Sequence, residues 1–232
     1  MLKLIAAVIM LIDHVGLVLF PQHIIFRIIG RLAMPMFAYS IALGFTKTQS
    51  YKKYLLRIGL FAIISQIPFW LMIYFAQPYD FRWLNLNIGF TFLGALIALY
   101  LYKQIKENPS KLPILKIIGL IMTIIITSLI NCDYGGYGIL VVFVFYEYFI
   151  IRKDIKKTAL ALLLATLSLP ILSFSNSLLE AIDLILIQSI AVGALPFIIK
   201  YEKKHIKKIK YFFYVFYPAH MLLLALLKRF VF

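Results

Sequence analysis

Acidic residues are scarce in this chain, and cysteine is almost absent. Nine Asp and Glu stand against 24 Lys and Arg, a formal net charge of +15. The single cysteine, Cys132, excludes an intramolecular disulfide and a multi-cysteine metal site. There is no HExxH, no GxSxG and no P-loop, so zinc-protease, serine-hydrolase and ATP-driven readings lack support. Internal repeats, long linkers and low-complexity tracts are missing as well.

What the chain has in excess is apolar sequence. Hydrophobic residues make up 63%, against roughly 45–50% in a soluble domain. The mean hydropathy is +0.96. The excess runs along the whole chain, and a water-soluble fold would expose too much of it. We expect an all-α, polytopic transmembrane bundle forming one integral membrane domain over residues 1–232. In a soluble protein, +15 would point to nucleic acid. Here the basic residues lie mostly in short loops between apolar runs, so membrane topology explains the charge. The expected partner is the lipid bilayer and not nucleic acid, with contact to anionic lipid as a secondary consequence.

About nine spans are expected, near 3–20, 25–45, 54–76, 86–103, 113–131, 137–151, 158–174, 179–199 and 211–229. Charge alternates between them. The regions 47–57, 103–116, 152–157 and 200–210 are basic, whereas those around Gln22, Asp80, Asp133 and Ser177 are not. Positive loops stay cytoplasmic, which puts the N-terminus inside and the C-terminus outside. Lys228 and Arg229 then lie at the outer end, where snorkelling accommodates them. Tyr51, Tyr54, Trp83 and Tyr211 fit interfacial belts. The opening stretch has the length of a signal peptide, but Asp13-His14 interrupts it and no small-residue cleavage site follows. It reads as the first transmembrane helix of a multi-pass membrane protein.

Residues 11–39 organise the chain. Two apolar segments meet at Pro21-Gln22-His23 and carry Asp13, His14, Arg27 and Arg31. Each such ionisable group costs roughly 2.5–3.5 kcal/mol on insertion scales, so these groups read as functional and facing a bundle interior or wet cavity. Adjacent helical residues point about 100° apart, so Asp13 does not orient His14 in the simplest geometry. Asp13 is expected to pair with Arg27 or Arg31, leaving His14 as a general base. The arginines share a helix face that suits phosphate, carboxylate or an oxyanion. The structural alternatives are an ion pair with a satisfied histidine, and an Arg27 that snorkels to the outer headgroups.

Other polar residues are weaker signals. His220 follows Pro218, which can kink a helix and re-aim a side chain; a lone histidine can equally be a hydrogen-bonded core residue. Gln66, Asn85 and Asn87 are uncharged and also suit helix–helix hydrogen bonding. Asp133-Tyr134-Gly135 is a turn signature, and an acid there could orient a cationic acceptor. Glu147, Glu180 and Asp183 read as hydrated helix ends.

The ordered set of short motifs resembles the TraX family of integral membrane proteins. The pieces are Asp13-His14-x-Gly16, Arg27-x-x-Gly30-Arg31-Leu32-Ala33-x-Pro35, Ser65-Gln66-Ile67-Pro68-Phe69, Leu86-Asn87-x-x-Phe90-Thr91, Asp133-Tyr134-Gly135-x-x-Gly138 and Phe216-Tyr217-Pro218-x-His220. The resemblance implies a membrane-embedded acyltransferase, akin to those that use cytoplasmic acyl-CoA to modify acceptors outside. Under it, His14, Asp13, Arg31 and His220 are the expected catalytic residues. Arg27, Arg31, Gln66 and Asn87 are expected to bind acetyl-CoA or another acyl-CoA. Asp133, Tyr134 and Tyr217 are expected to face the acceptor: an extracytoplasmic peptide amine, a glycan or a lipid headgroup. No metal is expected, because two histidines lack a third ligand. The chain departs from the family pattern at Gln66 and near Trp70, where an acid is common. Nothing in the sequence ties it to a pilus. The competing readings are a proton- or solute-coupled transporter or channel, and a structural membrane subunit.

Overall fold

A computed structural model describes residues 1–78, 82–108, 112–172, 177–202 and 212–231. Asp80, residues 203–210 and Tyr211, used above as topology markers, lie outside the described residues, as do 109–111 and the end of the 158–174 segment. The helices are α1 (Leu2–Leu19), α2 (Ile24–Gly30), α3 (Ala33–Lys47), α4 (Tyr51–Ala76), α5 (Ile88–Glu107), α6 (Pro113–Leu129), α7 (Gly135–Val144), α8 (Ile155–Thr166), α9 (Leu169–Leu172), α10 (Leu178–Ser189), α11 (Ala194–Tyr201) and α12 (Phe212–Phe230). The chain is all-α, with no strand among the described residues.

Helical segments stand at all nine expected places, but they are not nine uniform rods. Among the described residues, five stretches are long and apolar enough to cross a bilayer: Leu2–Leu19, Ile24–Lys47, Tyr51–Ala76, Ile88–Glu107 and Leu178–Tyr201. Pro113–Leu129 and Gly135–Ile151 are shorter apolar helices. The second expected span breaks at Arg31-Leu32, between α2 and α3. Pro35 explains the break, because it has no N–H to give the Arg31 carbonyl one turn earlier. The 137–151 segment widens into a π-helix at Phe145–Ile151. At twelve residues, α8 extends only about 18 Å, short of the roughly 30 Å hydrocarbon core.

The interior is built by α3, α5 and α7, where Ala38, Ala42, Ala95, Leu96, Ala98, Leu99, Val141 and Val142 are wholly buried. On α4 the row Leu56, Leu60, Ile63, Ile64 and Ile67 is 49–65% exposed. That row follows the helical repeat and gives hydrocarbon an apolar stripe that water would penalise. Together with the five long apolar helices, this makes the chain a multi-pass membrane protein. Glu147 differs from its expected hydrated position. It is buried and is bonded by Lys106 at 2.9 Å, Arg152 at 2.8 Å and the Tyr102 hydroxyl at 3.0 Å. The π-helical turn sets it beside Tyr102 and Lys106 of α5, and its buried charge requires those partners.

Two glycines set the α1–α2 hairpin. A methyl group on Gly16 would occupy the space of Phe26, and one on Gly30 would occupy the space of the Asp13 carboxylate. Gly30→Ala is therefore expected to displace Asp13 and lower stability by about 1–3 kcal/mol through overpacking. Thermal melts of the purified protein test this, and an unchanged melting temperature would contradict it.

Candidate active site

The ion pair that closes the hairpin is Asp13 Oδ2 with Arg27 Nη1, at 2.7 Å. Of the two arginines offered by the sequence, Arg27 takes the acid. The Asp13 side chain is mostly buried, and its Oδ1 has no hydrogen-bond partner.

Beside this pair stand two histidines from opposite ends of the chain. α12 packs against α4 and α1, which brings His14 Nδ1 within 2.7 Å of His220 Nε2. Their ring centroids are 5.0 Å apart with 7° between planes. At that nitrogen separation the rings lie edge to edge in nearly one plane, the geometry of an in-plane hydrogen bond. His220 Nδ1 lies 2.8 Å from the Phe216 carbonyl, one turn earlier on α12. A carbonyl only accepts, so His220 Nδ1 carries a hydrogen and its Nε2 is the acceptor. His14 Nδ1–H then donates to His220, and the His14 Nε2 lone pair is left for chemistry. His220 is the residue that orients His14, rather than a second independent base.

Arg31 sits at the α2–α3 break. Its Nη1 donates to the Tyr134 hydroxyl and to Gln188 Oε1, each at 3.3 Å. Gln188 Nε2 in turn donates to the Tyr137 hydroxyl at 3.2 Å. The buried Arg31 Nε has no partner. An unsatisfied N–H without accessible surface is a cost the fold carries.

The loop between α6 and α7 brings in Asp133. Leu86 N donates to Asn131 O at 3.1 Å, and Asp133 N donates to Leu86 O at 2.8 Å. The Thr91 hydroxyl donates to the Asp133 carbonyl. Tyr134 follows with φ +64°, a left-handed conformation that costs a non-glycine residue about 1–3 kcal/mol and recurs at functional sites. Burial pushes the Asp133 carboxyl up to about 6, against the opposing pull of Arg27 and Arg31.

These groups line one cavity of about 250 Å³. Asp13, His14, Arg27, Arg31, Asp133, Tyr134 and Tyr217 all contribute to its wall, with Phe37, Phe69 and Met72 among the apolar members. His220 stands behind His14, off that wall. Gln66 and Asn87 are not brought to it. Asn87 Nδ2 donates to Gln66 Oε1 at 2.7 Å and to Ala62 O at 2.8 Å, while Asn87 Oδ1 accepts from Gly89 N at 2.8 Å. Gln66 Nε2 donates to Asn85 O at 2.8 Å. Each polar atom of both amides thus has a protein partner, and the two bolt α4 to the start of α5. That is the helix–helix alternative, in place of the expected acyl-CoA contact.

Gln188 and Tyr137 escaped the sequence reading. A single glutamine in the apolar run of α10 was the available signal.

A family model described as TraX protein matches residues 1–228. The chain is 29% identical over 243 residues to "Probable fimbrial assembly protein FimC, serogroup H1" of Dichelobacter nodosus, covering 99% of this chain and 95% of that protein. It is also 43% identical over 67 residues to an uncharacterized protein of Rickettsia prowazekii (strain Madrid E), covering 29% of this chain and 25% of that one. No solved structure matches.

The raised Asp133 value gives a pH dependence. Between its ordinary value near 3.8 and about 6, the folded protein holds a proton that the unfolded chain has released. Stability therefore falls as pH rises through that window and levels off above it. Melting temperatures across it should slope downward for the native sequence and lose that component in Asp133→Asn. An identical slope in the variant would refute the assignment.

Proposed function

Because the chain belongs to the TraX protein family, we propose that it is an acyltransferase of the bacterial cytoplasmic membrane. It moves an acetyl or other acyl group from acyl-CoA to an amine or hydroxyl of an extracytoplasmic acceptor. The observation that carries this reading is the histidine dyad. One member, His14, lines a cavity whose wall also holds Arg31. A base and an oxyanion donor in one water-restricted cavity are the two groups acyl transfer requires.

The acyl-CoA supplies a thioester carbonyl; the protein's residues manage protons and charge. His14 Nε2 takes the proton as the acceptor nitrogen or oxygen bonds to that carbonyl carbon. The His14 Nδ1–H bond to His220 holds the ring in register and stabilises its cationic form. Arg31 meets the negative charge that develops on the carbonyl oxygen, a contact stronger in the transition state than before it. As the carbon–sulfur bond breaks, His14 returns its proton to the departing thiolate. Asp13 neutralises Arg27 and so leaves Arg31 for this role. Asp133 and Tyr134, on the face opposite the basic loops, suit recognition of a cationic acceptor amine. Among peptide, glycan and lipid acceptors, the name of the Dichelobacter nodosus relative favours a peptide of the fimbrial kind.

The test is thiol release from acetyl-CoA by purified protein with an amine acceptor. His14→Ala should lower turnover by about 10²–10⁴-fold, the usual worth of a general base, and leave folding intact. His220→Ala should also slow turnover and shift its pH profile, while His220→Gln, which keeps an acceptor, should recover part of the rate. Equal rates for wild type and His14→Ala would sink the assignment.

A further inference from the structure

A second cavity, of about 300 Å³, opens on the basic face. Lys3 of α1, Lys47 of α3 and Arg57 of α4 line it, with Tyr54, Phe61 and Phe213 among its aromatic walls. Lys47 and Arg57 are exposed, and none of the three cations makes an ion pair with a described residue. Arg57 lies 5.5 Å over the Tyr54 ring and donates from Nε to Lys53 O at 3.3 Å. Its terminal N–H groups face no described acceptor. Phe37 lines this cavity and the His14 cavity alike.

We infer that Lys3, Lys47 and Arg57 hold the phosphates of acyl-CoA, with its thioester arm directed past Phe37 toward His14. The inference rests on the acyltransferase reading and replaces the cation set expected from sequence. Arg27 is bound to Asp13, and Gln66 and Asn87 are bound to each other, so the outer cavity offers few free donors for a polyphosphate. A cluster of unpaired cations with aromatic walls suits phosphate and a nucleobase together. Positive loops also arise from topology alone, and an anionic lipid headgroup carries the same phosphate chemistry. The test separates these sources.

CoA binding is measured by calorimetry on full-length protein in zwitterionic nanodiscs. Lys3→Gln/Lys47→Gln/Arg57→Gln should bind about tenfold more weakly or worse, as loss of charge-assisted contacts implies. Lys52→Gln/Lys53→Gln removes neighbouring charge that does not line the cavity, and should bind as wild type does. His14→Ala should also retain CoA binding. Wild-type affinity in the triple variant, or equal loss in the Lys52/Lys53 control, overturns the site. Displacement of CoA by anionic nanodisc lipid from wild type and the control pair alike assigns the cavity to a headgroup and also overturns it. No CoA binding by folded wild type overturns the acyltransferase reading itself. Arg57→Gln alone gives the same comparison if the triple variant does not fold.

Discussion

The Asp13–Arg27 ion pair is the constraint on which the rest depends. Asp13 is mostly buried and Arg27 partly so, and their meeting spares Asp13 the cost of an uncompensated charge. Their meeting requires α1 and α2 to approach until no side chain fits at Gly16 or Gly30. The tight hairpin then fixes where His14 and Arg31 stand. His14 follows Asp13 on α1 but points elsewhere, toward α12. Arg31 lies one turn beyond Arg27, where Pro35 breaks the helix, and its side chain is taken up by Tyr134 and Gln188.

The site is an assembly of distant segments. His14 and His220 are separated by 206 residues, and Arg31 and Gln188 by 157. What joins them is helix packing rather than local motif geometry. Where α12 rests on α1, the hydrogen bond from His220 Nδ1 to its own helix selects the tautomer, and the tautomer selects which His14 nitrogen is basic. A backbone carbonyl thus determines the chemistry of a side chain on another helix.

Several polar groups elsewhere are satisfied by protein. Glu147 is neutralised by Lys106 and Arg152 near the basic loops, and Gln66 with Asn87 ties α4 to α5. Among the described residues, the buried Asp13 Oδ1, Arg31 Nε and Ser65 Oγ lack hydrogen-bond partners. The unpaired Lys3, Lys47 and Arg57 stand out at the opposite mouth.

The sequence determined that the chain is a helical membrane protein, where its apolar segments fall and which loops are basic. Those properties follow from composition and charge spacing along the chain, and they need no tertiary information. It also named seven residues that share one cavity, because an ionisable or turn-forming residue in apolar sequence is visible locally. It did not decide between Arg27 and Arg31 as the partner of Asp13. It gave no sign that Gln188 and Tyr137 support Arg31, and it placed Gln66 and Asn87 among the acyl-CoA contacts, where the structure bonds them to each other. Tertiary structure decided these points, since a hydrogen bond between residues far apart depends on helix rotation and approach, which sequence spacing does not encode. The same holds for the histidine dyad: its two members were each visible, but only packing of α12 on α1 put one nitrogen against the other.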